Sequence, residues 1–288
     1  MIQCTNITKG FPGFRLKPLS FELPDGYLCG LVGQNGSGKT TLLHLLLGLY
    51  HTEDGELSFD GKNYDGSEKE IRDSIGTVLT EELLNKGLSL EKNGDYYGRL
   101  FSNYKKGQYL ELLQMFQLDR RKKFAKLSKG EKLKCQFAFA LSCNPKYLFL
   151  DEPAANFDPE FRELFMKLTK DFVADGKKSV ILATHLTEDL DRLADYLIFM
   201  EKGDTVYAGD IETFRQSYRI LSGEAYKLKL FDPKLVLAME EKTYGAKALV
   251  RHHNYNHYDD SLEVSYPSIA EFMYYRSKMG KNRKNSAL

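Results

Sequence analysis

The spacing of apolar residues changes several times along this chain, and each change marks an element. Near the start the period is two. Ile2 and Cys4, then Leu19, Phe21 and Leu23, alternate with polar neighbours as short strands do. Pro24-Asp25-Gly26 is a turn signal. Tyr27-Leu28-Cys29-Gly30-Leu31-Val32 is a short apolar run that predicts a buried strand, and Thr41 to Leu47 predicts a helix behind it. Two further strands are expected at Glu56–Asp60 and Ser74–Leu79, with Gly61 and Gly66 marking loops between them.

From about Glu81 to Asn144 the spacing becomes helical. Tyr109, Leu112, Leu113, Phe116 and Leu118 fit one amphipathic face; Leu133, Phe137, Ala140 and Leu141 fit another. Lys146 to Asp151 is an apolar run ending in a carboxylate. Asp158-Pro159 is a helix start, with Phe161, Leu164, Phe165, Leu168 and Phe172 as the expected buried stripe and Gly176 as its stop. Ser179–Thr184 is the next strand, followed by a helix to about Asp195. A hairpin then joins Tyr196–Met200 to Thr205–Tyr207 through Lys202-Gly203-Asp204. Strands alternating with helices predict an α/β fold with a mostly parallel sheet. From about Ser217 aromatic and basic residues become dense. Ala225–Phe231 reads as strand-like, Ser268 and Glu271 form a capping box that opens a last helix, and Lys281–Asn285 reads as a frayed tail.

Composition narrows the function. The 288 residues allow one large or two unequal domains. Lys plus Arg (41) nearly balance Asp plus Glu (40), which argues against a nucleic-acid binder driven by bulk charge. No apolar run approaches the roughly 18 residues of a membrane span, and Met1–Asn6 lacks a signal segment. The chain is therefore expected to be neither secreted nor membrane-spanning. Cys4, Cys29, Cys135 and Cys143 are scattered without a C-x-x-C pair and read as small buried hydrophobes kept reduced. Arg251–Asp260 holds three of the six histidines beside two acids, but its spacing fits no standard ligand pattern; it reads as a polar loop with no metal.

Three stretches carry chemistry. Gly33-Gln34-Asn35-Gly36-Ser37-Gly38-Lys39-Thr40 matches G-x-x-x-x-G-K-[ST] between a strand and a helix. Its glycines let backbone N–H groups turn onto phosphate oxygens, Lys39 can reach the β- and γ-phosphates, and the Thr40 hydroxyl can hold Mg²⁺. Leu148-Phe149-Leu150-Asp151-Glu152-Pro153 ends a strand in two acids. Asp151 suits Mg²⁺ held through water, and Glu152 is placed to take a proton from an attacking water or to polarise it. Leu127-Ser128-Lys129-Gly130-Glu131 is a capping box, so a helix N-terminus with its anion-attracting dipole starts there.

These three stretches, with Asn156-Phe157-Asp158 and Thr184-His185, fall in the order and approximate spacing of the ATP-binding cassette ATPases. Leu127–Glu131 resembles that family's signature, usually Leu-Ser-Gly-Gly-Gln. The resemblance covers about residues 1–215. It implies a RecA-like P-loop core with an antiparallel β subdomain and an inserted helical subdomain at about 81–145. The cassette then occupies 1–216, and a small α+β accessory domain occupies 217–288.

The resemblance also implies a mechanism. Two cassettes, identical or related, pack head to tail around two ATP molecules. One supplies Gly33 to Thr41 (Gly33, Gln34, Asn35, Gly36, Ser37, Gly38, Lys39, Thr40, Thr41), the Mg²⁺ ligands Thr40 and Asp151, and the catalytic Glu152 and His185. The other supplies Ser128 and Gly130, with Asp158 at the boundary. Phe11 falls where the family places an aromatic that stacks on adenine. The family's usual loop Gln should align near Thr80, and none is there; either Glu81 makes its Mg²⁺ and water contact, or that contact is weaker. The signature departs at Lys129 and Glu131.

With one cassette and no span, the resemblance implies a peripheral subunit on the cytoplasmic face of the membrane, driving a separate permease chain. Within the family it looks like bacterial exporters of drugs or amphipathic peptides. The alternative is a soluble cassette acting on ribosomes or nucleic acid. The single cassette and the absence of a long heptad stretch or basic excess argue against it.

Overall fold

The structure, a computed structural model, describes residues 1–252 and 258–285. Strands β1 (Ile2–Phe11) and β2 (Phe14–Leu23) pair antiparallel across Pro12-Gly13. Ile2 lies opposite Leu23 and Cys4 opposite Phe21, so the period-two positions are the buried ones. β3 (Leu28–Gly33) is buried along its whole length and leads through the glycine-rich loop into α1 (Lys39–Leu46). β4 (Glu56–Phe59) returns to β1, giving a three-stranded antiparallel sheet of order β2-β1-β4.

The stretch expected as loop after β4 contains a helix, α2 (Tyr64–Asp73), whose first turn is broken at Gly66. Only Ile71 is fully buried, Tyr64 packs against the core from the first position, and the residues between them are polar or glycine, so there is almost no apolar period to read. After β5 (Ile75–Val78) come α3 (Leu90–Tyr97), α4 (Lys106–Met115) and α5 (Lys129–Ser142). Phe116, at the end of α4, stacks on Phe137 of α5 with ring centroids 5.9 Å apart.

β6 (Tyr147–Asp151) precedes α6 (Pro159–Val173), whose N-terminus is capped by Asp158 accepting from the Phe161 N–H at 2.8 Å. The buried stripe of α6 is Phe161, Phe165, Thr169 and Val173; Leu164, Leu168 and Phe172 are only half-buried, so the stripe runs in steps of four. β7 (Ser179–Ala183), α7 (Thr187–Leu193), β8 (Tyr196–Glu201) and β9 (Asp204–Asp210) complete a six-stranded sheet of order β5-β6-β7-β3-β8-β9. Its pairs from β5 through β8 are parallel. The carboxyl ends of β3, β6 and β7 therefore share one edge, where open α/β sheets place their ligands.

Packing separates Met1–Leu186 with Leu193–Ala208 from a second unit, Thr187–Arg192 with Gly209–Leu288. The second unit contains α8 (Ile211–Ser217), β10 (Tyr218–Gly223), α9 (Ala225–Lys229), β11 (Val236–Lys242), β12 (Gly245–Arg251), β13 (Glu263–Ser265) and α10 (Ile269–Asn285). Its sheet is antiparallel, of order β11-β12-β10-β13. Ala225–Phe231 is not a strand. Ala225, Leu228 and Phe231 pack on one core, a spacing of three, while Tyr226 and Leu230 stay exposed. The Ser268–Glu271 box opens α10, which continues through 281–285 instead of ending in a frayed tail. In the polar stretch 251–260, His252 Nδ1 meets the Tyr258 hydroxyl at 2.6 Å, and His253 and His257 lie outside the described residues. All four cysteines are free and buried.

Candidate functional site

Gly33 ends β3 where a Cβ would stand 2.4 Å from the Met200 carbonyl and 2.5 Å from Ser37 Oγ, so no side chain fits. Gly36 (φ 77°) and Gly38 (φ 111°) hold left-handed backbone that glycine adopts without strain. Gly38 is also the N-cap of α1 and offers no side-chain acceptor, which leaves the first-turn N–H groups open to an anion. The Lys39 ammonium folds back onto the loop, donating to the Gly33 carbonyl at 2.8 Å and more distantly to that of Gln34 at 3.5 Å. Burial pushes its pKa down, opposed by the charges of Glu152 and Asp151. Ser37 Oγ is buried without a partner among the described residues. A desolvated cation held only by carbonyls and an orphaned hydroxyl both fit a phosphate.

Asp151, at the end of β6, is 8% exposed. Burial raises its pKa, Glu152 adds to the rise, and Lys39 and His44 oppose it. Glu152 takes left-handed backbone (φ 49°, ψ 40°), a conformation that costs a non-glycine residue about 1 kcal/mol. Its N–H donates to the Ala183 carbonyl at 2.8 Å, tying it to the end of β7. His185, two residues beyond Ala183, meets the Glu152 carboxylate at 2.6 Å.

Phe14, residues 35–41, Thr80, Asp151 and Glu152 line one cleft of about 530 Å³. The structure thus brings together the glycine-rich loop and both acids, with His185 joined to them through Glu152. Phe11, expected beside the adenine, does not line this cleft. It closes β1 with its ring 5.3 Å from Tyr50, and Phe14, across the hairpin, is the aromatic that reaches the cleft, close against Gly38.

Ser128, Gly130 and Asp158 are not among the residues lining this cleft. Ser128 Oγ accepts from the Glu131 N–H at 3.2 Å, and Glu131 Oε2 accepts from the Ser128 N–H at 2.7 Å, so the box caps α5. A Cβ on Gly130 would stand 2.5 Å from the Asn156 carbonyl. The Lys134 ammonium bonds Asp158 at 2.8 Å. The first turns of α5 and the turn before α6 are therefore packed as one piece.

Gln136 was not visible in the sequence as a site residue. Its buried amide accepts from the Leu79 N–H at 3.1 Å and donates to the Glu81 carbonyl at 2.9 Å.

The ABC transporter family profile matches residues 16–155. The tungstate uptake system ATP-binding protein TupC of Peptoclostridium acidaminophilum is 31% identical over 210 residues, covering 70% of this chain and 95% of that protein. The chain belongs to the ABC transporter family. Another relative, the Nod factor export ATP-binding protein I of Burkholderia lata, is 33% identical over 196 residues, 66% of this chain. The chain spans 64% of that relative's length. Among solved structures, the dimeric ATP-binding cassette MJ0796, in a post-hydrolysis state bound to ADP and Pi, matches with a TM-score of 0.64 and 25% identity, covering 73% of this chain and 99% of that one. The fold is that of an ABC cassette, with a P-loop core. It also carries a groove of about 490 Å³ whose lining includes Leu79, Leu83, Leu100 and Phe101 together with Lys69, Arg72 and Asp73. Among the described residues no helix is long and apolar enough to cross a membrane.

Proposed function

We propose that this chain is the ATP-hydrolysing subunit of an ABC transporter, acting as one of two cassettes on a separate permease at the cytoplasmic face of the membrane. One observation carries the reading. A glycine-rich loop with a desolvated Lys39 and a strand end bearing Asp151 and Glu152 open into a single cleft.

In this reading N–H groups of the glycine-rich loop and of the first turn of α1 hold the phosphates, and Lys39 leaves its carbonyl partners for the β- and γ-phosphate oxygens. Phe14 offers its ring to the adenine. Glu152 takes a proton from the attacking water, and His185 holds the Glu152 carboxylate in place. Thr40 and Asp151 supply the hard oxygen donors that Mg²⁺ prefers, and among the described residues no cluster of three His, Cys, Asp or Glu offers a separate cage. A Mg²⁺ ion held by these residues would supply charge neutralisation for the transferring phosphoryl group.

Ser128 and Gly130 serve the cleft of the partner cassette. That is supported by their absence from this chain's own cleft and by the dimeric arrangement of the MJ0796 cassette. The groove beside Leu83 and Leu100 receives the permease. Residues 217–288 form an accessory domain. The cargo we infer is an amphipathic peptide or drug moved outward; one relative is named for export and another for uptake.

Two measurements test the reading. Purified protein is assayed for Mg²⁺-dependent ATP hydrolysis beside Glu152→Gln, and the chain is isolated from native membranes with its partners. A rate lost in the variant and a stoichiometric multi-spanning partner support the proposal. Ribosomal partners, or a rate unchanged by the substitution, overturn it.

A further inference from the structure

We propose that Gln136 is a positioning residue for ATP hydrolysis, holding from α5 the loop that presents Thr80 to the phosphate cleft. The inference rests on the hydrolytic reading above. The Gln136 side chain is 3% exposed, and its amide is used at both ends. Oε1 accepts from the Leu79 N–H at 3.1 Å, and Nε2 donates to the Glu81 carbonyl at 2.9 Å. The two backbone groups flank Thr80, which lines the cleft with Asp151 and Glu152. One side chain therefore fixes the backbone on both sides of the residue that faces the nucleotide.

Thr80-Glu81-Glu82 carries no side-chain amide of its own. A neighbouring contact, Lys132 with Glu82 at 2.7 Å, lies at the surface, where water and salt weaken it. The Gln136 bonds are shielded, so they are the stronger tie. Gln136 also lines a smaller cavity of about 190 Å³ with Ile75, Leu84 and Phe139. It sits eight residues after Ser128 on the same helix, about 12 Å along the axis. A shift of α5 is thus passed through one amide to Thr80.

The test is Gln136→Met, which keeps the length of the side chain and removes the amide. With the intact purified protein, kcat is expected to fall roughly 10- to 100-fold, as misplacement of a cleft loop does. The Kd for ATP and the KM should change less than about twofold, because the Lys39 loop is untouched. Hydrogen exchange should quicken at residues 79–82 and stay unchanged in β6. A folded variant with native kcat overturns the proposal, as does a parallel loss of kcat and ATP affinity, which a merely structural role produces. Should Gln136→Met fail to fold, Gln136→Leu carries the same test, removing the acceptor for Leu79 and the donor to Glu81 without burying a charge. A native protein that binds ATP without hydrolysing it overturns the hydrolytic reading and this role with it. An active native protein indifferent to Gln136 overturns this role alone.

Discussion

The Glu152 carboxylate receives two contacts from His185 on the same oxygen: the ring Nδ1 stands 2.6 Å from Oε2, and the backbone N–H donates to it at 3.2 Å. Glu152 hangs from the end of β6 and His185 follows β7, neighbouring parallel strands, so sheet register sets this distance. The imidazole is half-exposed, and its contact with Glu152 fixes its orientation.

This pair should behave as a unit. Glu152→Gln is expected to keep ATP binding and slow hydrolysis by about 100-fold or more, because the amide cannot take a proton from water. His185→Ala should lower kcat by a smaller factor with little change in KM. The double variant should be no slower than Glu152→Gln alone, since His185 acts through Glu152. Single-turnover hydrolysis of the three variants checks this, and additive losses would show that His185 works independently. Size exclusion in MgATP should find Glu152→Gln trapped as a dimer.

Lys39 gives a different signature. Its ammonium is largely desolvated and bonded only to the Gly33 and Gln34 carbonyls, so Lys39→Ala should cost the nucleotide-free fold little. The loss appears on adding ligand. Native protein should gain several degrees of Tm in saturating MgATP, as any ligand of the native state confers, and Lys39→Ala should gain almost none. Thermal melts with and without nucleotide decide it.

Asp60 makes a small contribution to stability that acid removes. Burial alone would raise its pKa, but hydrogen bonds from Lys146, the N-terminal amine and Tyr147 outweigh that and bring it to about 2. Lys146 reaches both carboxylate oxygens, at 2.7 and 2.9 Å. The folded pKa lies below the ordinary 3.8, so this contribution is complete above about pH 4 and is lost as pH falls toward 2. Asp60 is 45% exposed, so screening keeps the effect small. Asp60→Asn should therefore melt below the native protein at pH 7 in low salt, and the gap should close between pH 4 and pH 2. A gap that persists at pH 2 would trace the effect to something other than this charge.

What the sequence disclosed follows from the range of the forces involved. The Gly33–Thr40 loop, the Ser128 and Asp158 caps and the buried β3 were legible because each rests on residues a few positions apart. Period-two spacing in β1 and β2 was legible for the same reason. α2 escaped notice because it buries a single residue, and α9 because its Leu228 and Leu230 mimic strand alternation. Gln136 was invisible for a deeper reason. Its partners lie 57 and 55 residues away, and a side-chain bond to backbone leaves no pattern in the partner's sequence.

The aromatic pair at the first hairpin yields the last prediction. Phe11 and Phe14 are register partners across Pro12-Gly13, and sequence alone gives no reason to prefer Phe14 at the cleft. The fold separates them. Phe11 turns to Tyr50, with the Lys9 ammonium 5.8 Å from its ring centre, whereas Phe14 lines the cleft beside Gly38. A base stacked on an aromatic contributes about 1–3 kcal/mol. Phe14→Ala should therefore raise the Kd for ATP by about 5- to 160-fold, and Phe11→Ala by less than about threefold. Inorganic triphosphate, which has no base, should bind both variants as it binds the native protein. Titration of ATP and triphosphate against the two variants separates the alternatives: a larger loss at Phe11 would mean that nucleotide binding reorganises the hairpin, and equal losses for both ligands would mean that Phe14 shapes the phosphate loop and does not hold the base.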